Sequence, residues 1–194
     1  MAQILIVCTG NICRSPMAVG FLRTILAERF GDDAPEVVSA GTVGWEGHAA
    51  VDESIRAAGE RDVDITDHQA RMLQTDHIAN ADLVVGMSGE HREKVVSLVP
   101  DAAAKTFTLK ELVALLEEQP QGGSPSDVGS RVAAAEKIRD SDFEGNPDDE
   151  DVVDPLGLGF DTYRAVAWEI DEFCGRLVDG MFGKAPVRSA FEQD

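Results

Sequence analysis

This sequence has few cysteines, few basic residues and no long apolar run, and each shortage narrows what the protein can be. Only three of the 194 residues are cysteine, and an odd number at irregular spacing does not form the disulfide framework of a small secreted protein. No segment approaches eighteen consecutive apolar residues, and the opening MAQILIVC has no basic leader before its apolar run. The sequence therefore predicts neither a membrane span nor a signal peptide, and we expect a cytoplasmic protein.

Basic residues are outnumbered about two to one by acidic residues. There are 17 Lys and Arg against 36 Asp and Glu, which gives a formal net charge of −19. This excess opposes binding to nucleic acid and to anionic membranes, so neither is expected as a partner. A negatively charged substrate would have to be captured by a local cluster of donors, while most of the acids are expected to form a well-solvated surface.

The sequence also lacks a recognisable metal-binding pattern. Cys8 and Cys13 have no second CxxC or HxxxH group beside them, and the histidine spacings match no common ligand set. The histidines are His48, His68, His77 and His91. No metal and no cofactor is therefore predicted.

Short apolar runs alternate with amphipathic stretches along most of the chain. Strands are predicted at residues 3–8, 36–40, 81–87 and 105–109. Helices are predicted at about 15–30, 49–59, 89–98, 109–118 and 160–179. This alternation is typical of a parallel sheet, so we predict a three-layer α/β fold, in which helices cover both faces of a four-stranded parallel sheet.

Residues 119–153 interrupt this alternation. The segment begins rich in Gly, Pro and Ser, offers a weak helix at 131–140, and runs into eight acids with no base from Asp140 to Asp154. We interpret it as an exposed, partly mobile excursion within a single domain at 1–194. It is either a solvated insertion or a lid that repels acidic peptides or binds a basic partner.

The turn after the first strand has the features of an anion site. It follows Cys8 at the carboxyl end of the strand, where α/β folds bind ligands. Ser15 is predicted to cap the next helix, with Pro16 in the first helical position. Backbone N–H groups and the helix dipole favour an anion at such a turn. The glycine patterns of nucleotide-binding loops are absent from it.

Cys8 and Arg14 give this turn a CX5R spacing. A cysteine at the base of an amide cradle, close to a cation, is stabilised as the thiolate, which is the nucleophilic form. The arginine fork matches two oxygens of a phosphoryl group, which lysine cannot do. The pair predicts nucleophilic attack on a phosphate ester, with the loop holding the phosphoryl oxygens. The predicted phosphate-binding residues are Thr9, Gly10, Asn11, Ile12, Cys13, Arg14 and Ser15.

The run VCTGNICRSPMA resembles the phosphate-binding loop of the low-molecular-weight protein tyrosine phosphatases, in which the CX5R loop directly follows the first strand. The likeness continues through VVSAGT, TDHQARM, ADLVVGMS, KTFTLKE and VVDPLG. It implies a metal-independent phosphatase that acts on phosphorylated proteins or peptides through a cysteinyl-phosphate intermediate. It indicates nothing about the oligomeric state.

The resemblance also implies roles outside the CX5R loop. Asp154, in an Asp-Pro pair, matches the family's general acid, which protonates the leaving group and then activates water. Asp127 and Asp148 are alternatives for that role. The residues that match the family's loop-supporting hydrogen bonds are Asn11, Ser15, Ser39 and His68. The implied specificity pocket consists of Ile12, Trp45 and Leu156.

Four activities compete on this scaffold. Ile12 and Trp45 favour phosphotyrosine, whereas the protein-arginine phosphatase branch has threonine at the Ile12 position, although TFTLKE and DPLGLGFDTY are closer to that branch. A thioredoxin-coupled arsenate reductase would need further cysteines, which residues 80–100 lack. A phosphopeptide-binding module without turnover is disfavoured, because nucleophile, arginine and acid are all present. The predicted activity is that of a protein-tyrosine phosphatase, with protein-arginine phosphatase as the alternative.

A redox role is predicted for the second cysteine of the loop. Because Cys8 and Cys13 would line the same tight turn, mild peroxide is expected to link them and so protect the nucleophile from deeper oxidation. The alternative is that Cys13 contributes only to packing.

Overall fold

Four parallel strands form the centre of the structure, a computed structural model that describes residues 1–43, 45–120, 122–140 and 150–184. The sheet order is β2-β1-β3-β4. The strands are β1 (Gln3–Cys8), β2 (Glu36–Gly41), β3 (Leu83–Gly86) and β4 (Thr106–Thr108). The helices are α1 (Arg14–Phe30), α2 (Asp52–Gly59), α3 (Thr75–Asn80), α4 (Gly89–Leu98), α5 (Leu109–Glu117), α6 (Val128–Arg139) and α7 (Phe160–Phe182). These elements confirm the predicted α/β class.

The central strand β1 is buried on both faces, and its alternate side chains enter two different cores. Ile4 and Ile6 lie in the larger core, which is completed by α1, α2, α5, α6 and α7. Leu5 and Val7 lie in the smaller core, with side chains from α3 and α4. Because side chains alternate along a strand, one apolar run can supply both cores. The three predicted layers are therefore confirmed.

The register of the sheet places Cys8 at a ligand-binding edge. Cys8 pairs with Gly41 of β2, and Val7 pairs with Gly86 of β3. The chain leaves β1 towards β2 and then crosses back to β3 on the other side, so β1 and β3 flank a topological switch point. Open α/β sheets bind ligands at the carboxyl ends of the strands at such a point.

The helix α7 brings the far end of the described chain against its beginning. It packs on α1 and α5 and buries Tyr163, Ile170 and Leu177 along one face. Of the helices in the described ranges, none is both long enough and apolar enough to cross a membrane.

One predicted helix cap is wrong, and one short helix was missed. Helix α1 begins at Arg14, and its N-cap residue is Cys13, which makes no side-chain capping bond. The predicted cap, Ser15, lies inside the helix because its hydroxyl is held in a buried network. Helix α3 was not predicted, since Ile78 is its only buried residue and six residues show no periodicity.

Residues 119–153 were predicted to form an exposed excursion, and this prediction is wrong for part of the segment. Its weak helix is confirmed as α6, whose Val128, Val132 and Ala135 are fully or almost fully buried. These positions follow a helical repeat and form an apolar stripe that the Gly- and Pro-rich flank obscured. Most of the acidic run, including Asp148, lies outside the described residues.

Candidate active site

Asn11 organises the turn between β1 and α1. Its backbone has a φ of 57°, in the left-handed region. The side-chain amide donates to Ser15 Oγ at 2.8 Å and to Ser39 Oγ at 2.9 Å. Its Oδ1 accepts the backbone N–H of Arg71 at 2.9 Å, and its carbonyl lies 2.7 Å from His68 Nε2. The structure thus brings together all four predicted loop-supporting residues.

Two of the hydrogen bonds to Asn11 come from residues far along the chain, the Arg71 N–H and the His68 imidazole. Burial lowers the pKa of His68, and nearby Arg71 and Arg23 act in the same direction. The imidazole is therefore neutral at neutral pH, and its Nε2–H can donate to the Asn11 carbonyl. Sequence reasoning missed the Arg71 contact because a backbone donor is common to almost every residue.

We expect Asn11→Ala to lower the free energy of unfolding by about 3 kcal/mol. The change leaves the Ser39 hydroxyl and the Arg71 N–H without their partner, and alanine tolerates the left-handed backbone less well than asparagine. Urea denaturation measures the loss. The matched control Asn80→Ala, at an exposed position at the end of α3, should stay within about 0.5 kcal/mol of the parent. Equal stability of the two variants would contradict the supporting role of Asn11.

Two donors converge on the buried sulfur of Cys8. The backbone N–H of Asn11 donates to Sγ at 3.2 Å, and Ser15 Oγ lies 2.9 Å from it. Because Ser15 Oγ already accepts the Asn11 amide, its own proton is free to point at the sulfur. Both hydrogen-bond donors are therefore directed at the sulfur, as expected for a loop that holds a nucleophilic cysteine.

The end of β2 lies directly against the loop. A Cβ on Gly41 would lie 2.7 Å from the Thr9 carbonyl oxygen, so only glycine fits there. Beyond it, the N–H of Thr42 donates to the Cys8 carbonyl and that of Val43 to the Thr9 carbonyl, both at 2.9 Å. This pairing holds the segment that carries Trp45 at the rim of the loop.

Arg14 projects its guanidinium from the first turn of α1, where it is buried. Nη1 donates to the Val152 carbonyl at 3.0 Å, and Nη2 donates to Asp154 Oδ2 at 2.6 Å and to Thr9 Oγ1 at 3.2 Å. Its Nε is buried and has no hydrogen-bond partner among the described residues. A buried N–H in this position suits an oxygen atom of a bound phosphoryl group.

Asp154 reaches the loop from a position 140 residues later in the chain. We call residues 150–156 the acid loop. Its start is anchored by the Val152 N–H, which donates to the Met87 carbonyl at 2.8 Å, and by Asp151 Oδ1, which accepts the Gly89 N–H at 2.8 Å. The other oxygen of Asp154 accepts the Leu156 N–H at 3.2 Å. The predicted acid is therefore in direct contact with the predicted arginine.

The alternative acid Asp127 is not brought to the loop. Its carboxylate accepts the Ser124 N–H at 2.8 Å and the Ser124 hydroxyl at 3.0 Å. Ser124 in turn lines a cavity with Met1 and Asp82, at the amino ends of the strands. Asp127 therefore lies at the opposite edge of the sheet from Cys8.

The three predicted pocket residues differ in exposure. A methyl group on Gly10 would lie 3.1 Å from Trp45 Cδ1 and 3.2 Å from Ile12 Cγ1, so these two side chains flank Gly10. Trp45 is 41% exposed, and Leu156, two residues after Asp154, is 48% exposed. Ile12 is only 5% exposed and packs with the larger core. Trp45 and Leu156 offer most of the exposed surface of this pocket, and Ile12 offers only a small exposed part at the floor of the loop.

Cys13 is a buried free thiol, as is Cys8. Burial raises the pKa of Cys13 to about 11, against smaller opposing effects from the hydroxyls of Ser54 and Tyr163. At neutral pH its thiol is almost entirely protonated, which slows its attack on an oxidised sulfur. Peroxide-driven pairing with Cys8 stays a prediction, and we expect it to be slow.

Sequence reasoning missed His91, which touches the phosphate loop from α4. Its Nε2 lies 3.0 Å from Thr9 Oγ1, and its Nδ1 lies 2.8 Å from Ser88 Oγ. Burial, and then the charge of Arg14, lowers its pKa to about 4. The only signal in the sequence is a histidine one turn after the third strand, which is equally typical of a surface helix.

Comparisons with known proteins agree with this geometry. The family model described as low molecular weight phosphotyrosine protein phosphatase matches residues 3–120. A protein-arginine-phosphatase from Geobacillus stearothermophilus is 30% identical over 177 residues, covering 91% of this chain and 94% of the relative. The low molecular weight protein-tyrosine phosphatase A of Mycobacterium tuberculosis is 38% identical over 137 residues, covering 67% and 82%.

Solved structures give the same result. The crystal structure of a low molecular weight protein tyrosine phosphatase from T. tengcongensis superposes with a TM-score of 0.70 at 31% identity, covering 93% of this chain and 100% of that one. The relatives are thus named for two different phosphorylated side chains, tyrosine and arginine.

Proposed function

The chain belongs to the low molecular weight phosphotyrosine protein phosphatase family, and from that membership we propose that it hydrolyses phosphotyrosine in proteins through a cysteinyl-phosphate intermediate. The observation that carries the proposal is the convergence of Cys8, Arg14 and Asp154 on one loop at the carboxyl edge of the sheet. A nucleophile, a phosphate-binding cation and an acid are the three groups that this reaction requires.

In the first step, the Cys8 thiolate attacks phosphorus and the bond from phosphorus to the tyrosine oxygen breaks. Asp154 gives its proton to that oxygen, so that a neutral phenol leaves. The phosphoryl oxygens are held by the loop amides and by Arg14, whose Nε has no partner among the described residues. The phosphoryl group takes the place of Asp154 on Nη2, which frees the carboxyl group to face the leaving oxygen.

In the second step, Asp154 takes a proton from a water molecule whose oxygen attacks phosphorus. The bond from sulfur to phosphorus breaks, and inorganic phosphate and the thiolate are restored. Ser15 supports this step because its hydroxyl, 2.9 Å from Cys8 Sγ, donates to the departing sulfur.

We further infer that residues 1–194 work as a single phosphatase domain. The matched family model ends at residue 120, but the proposed acid Asp154 lies beyond it, and α7 packs on α1. The segment after residue 120 therefore supplies both a reacting group and part of the core.

Phosphotyrosine is favoured over phosphoarginine by the apolar surroundings of the loop. Ile12 offers no hydrogen bond to a guanidinium group, and Trp45 presents an exposed ring beside Gly10 on which an aromatic side chain can pack. Phosphoarginine is the second candidate, because a relative that this chain matches over 94% of the relative's length is named a protein-arginine-phosphatase. Leu156 also supports this second candidate, because it gives the pocket a smaller wall than the aromatic residue that would suit phosphotyrosine.

The test is a side-by-side measurement of kcat/KM on phosphotyrosine and phosphoarginine peptides of otherwise identical sequence, with chelator present. We expect the phosphotyrosine peptide to be preferred at least about tenfold. Ile12→Thr should reduce that preference, because its hydroxyl can bond a guanidinium nitrogen, while the control Ile12→Val should not. A wild-type preference for phosphoarginine would replace the proposal with the second candidate.

A further inference from the structure

A row of polar side chains connects helix α4 to the phosphate-binding arginine. Ser88 Oγ lies 2.8 Å from His91 Nδ1, and His91 Nε2 lies 3.0 Å from Thr9 Oγ1. The same Thr9 oxygen accepts a hydrogen bond from Nη2 of Arg14 at 3.2 Å. His91 is 3% exposed, so its hydrogen bond to Ser88 is buried, while the two hydrogen bonds at Thr9 are partly buried.

Thr9 differs from the other described partners of Arg14 in where it is attached. The Val152 carbonyl and the Asp154 carboxylate both belong to the acid loop. Thr9 belongs to the phosphate loop itself. When Asp154 turns from the guanidinium to the leaving group, Thr9 is the described side chain that remains bonded to Nη2.

We propose that His91 is a positioning residue, which holds the Thr9 hydroxyl in the orientation that keeps Arg14 aligned for phosphate while the Asp154 carboxylate changes partner. A threonine side chain has staggered rotamers that point its oxygen in different directions. A hydrogen bond between Thr9 and the buried imidazole selects the rotamer whose oxygen meets Nη2 of Arg14. The inference rests on the proposed function, since it assigns a role within that same site.

The charge of His91 agrees with this role. Its pKa of about 4 results first from burial and second from the positive charge of Arg14, against smaller opposite effects from Asp151 and Asp154. At neutral pH the imidazole is therefore uncharged. It can hold Thr9 in place without adding a second positive charge that would repel Arg14.

Ser88 is available to His91 because its side chain does not cap α4. It is the N-cap residue of this helix, yet its hydroxyl makes no capping hydrogen bond. Asp151 Oδ1 accepts the N–H of the first helical residue, Gly89, at 2.8 Å. The Ser88 hydroxyl can then hold the orientation of the imidazole ring. The start of α4 therefore contacts both His91 and the acid loop.

The test uses inorganic phosphate as a competitive inhibitor of aryl phosphate turnover. His91→Phe keeps a ring but removes both nitrogens. It should raise the phosphate Ki and the KM about tenfold, which is the effect expected from losing one hydrogen bond that supports a charged group. His91→Gln places an amide near the former Nε2 and should recover most of this loss. The control His77→Phe, in α3, should leave Ki unchanged.

A double variant separates positioning from packing. Thr9→Val should raise Ki by a similar factor, and adding His91→Phe to it should raise Ki no further, because His91 acts through the missing hydroxyl. Multiplicative effects of the two changes would overturn the inference. So would a Phe variant with a lowered Tm but the parental Ki.

Two further outcomes are distinguishable. A wild-type protein that does not hydrolyse aryl phosphate refutes the proposed function, whatever the variants do. If His91→Phe does not fold, the comparison passes to His91→Gln and Thr9→Val: a Gln variant as impaired as the Val variant, in an active wild-type background, overturns the inference, and a largely restored Ki supports it.

Discussion

Cys8→Ser is expected to reduce turnover of an aryl phosphate by roughly 10⁴-fold or more, a size typical of the loss of a catalytic nucleophile. The two hydrogen bonds that reach this position, from the Ser15 hydroxyl and the Asn11 N–H, can stabilise a thiolate. They cannot ionise a serine hydroxyl at neutral pH, because its intrinsic acidity is far lower. The measurement is kcat for the purified variant, and the binding of inorganic phosphate to that variant is measured in parallel.

The matched control is Cys174→Ser, since Cys174 is also a buried free cysteine but lies in α7. This variant should lose some stability from burying a hydroxyl, yet its turnover per folded molecule should remain close to that of the parent. Cys8→Ser should still bind phosphate, because Arg14 and the loop amides are unchanged. Residual turnover within tenfold of wild type would show that Cys8 is not the nucleophile.

Asp154→Asn is expected to lower kcat by roughly 10²- to 10³-fold on substrates with a basic leaving group, the usual size of a general-acid contribution. Asparagine keeps the shape of the side chain but has no proton to give to the leaving oxygen. The loss should shrink for a nitrophenyl phosphate, whose phenolate leaves readily without protonation. A series of aryl phosphates that differ in leaving-group acidity measures this dependence.

The control for this prediction is Asp127→Asn, at the carboxylate that bonds Ser124 at the other edge of the sheet. Its kcat should match that of the parent across the whole series. The Asp154 variant also loses the ion pair with Arg14 at 2.6 Å, which could alter phosphate binding without any proton transfer. A loss that is the same for every leaving group would therefore assign Asp154 to positioning Arg14 and would contradict its role as the acid.

The parts of the fold that followed from the sequence are those set by short-range patterns. The run at residues 3–8 is apolar at successive positions, as expected for a strand buried on both faces, and β1 has these bounds. The apolar stripe of the last helix predicted α7, which extends three residues past the expected end. Helix α6 was underestimated because its three buried positions form a short stripe between a Gly- and Pro-rich flank and an acidic run.

Ser15 illustrates why a local rule can fail at a functional site. Serine before proline and an apolar repeat is typical of an N-cap. In the structure its hydroxyl accepts a hydrogen bond from the Asn11 amide and faces the Cys8 sulfur. The helix starts at Arg14, two residues before the predicted Pro16, without a side-chain cap. The hydrogen bonds of the reactive loop therefore override the capping preference.

Twelve consecutive residues were enough to predict Cys8 as the nucleophile and Arg14 as the phosphate-binding cation, because a loop between a strand and a helix is built from near neighbours. The contact of Asp154 with Arg14, the support of Asn11 by Arg71 and the contact of His91 with Thr9 were decided only by the tertiary structure. Those pairs are separated by 140, 60 and 82 residues. No local pattern encodes such a pairing, since it depends on the order of the strands in the sheet and on which loop ends meet at its edge.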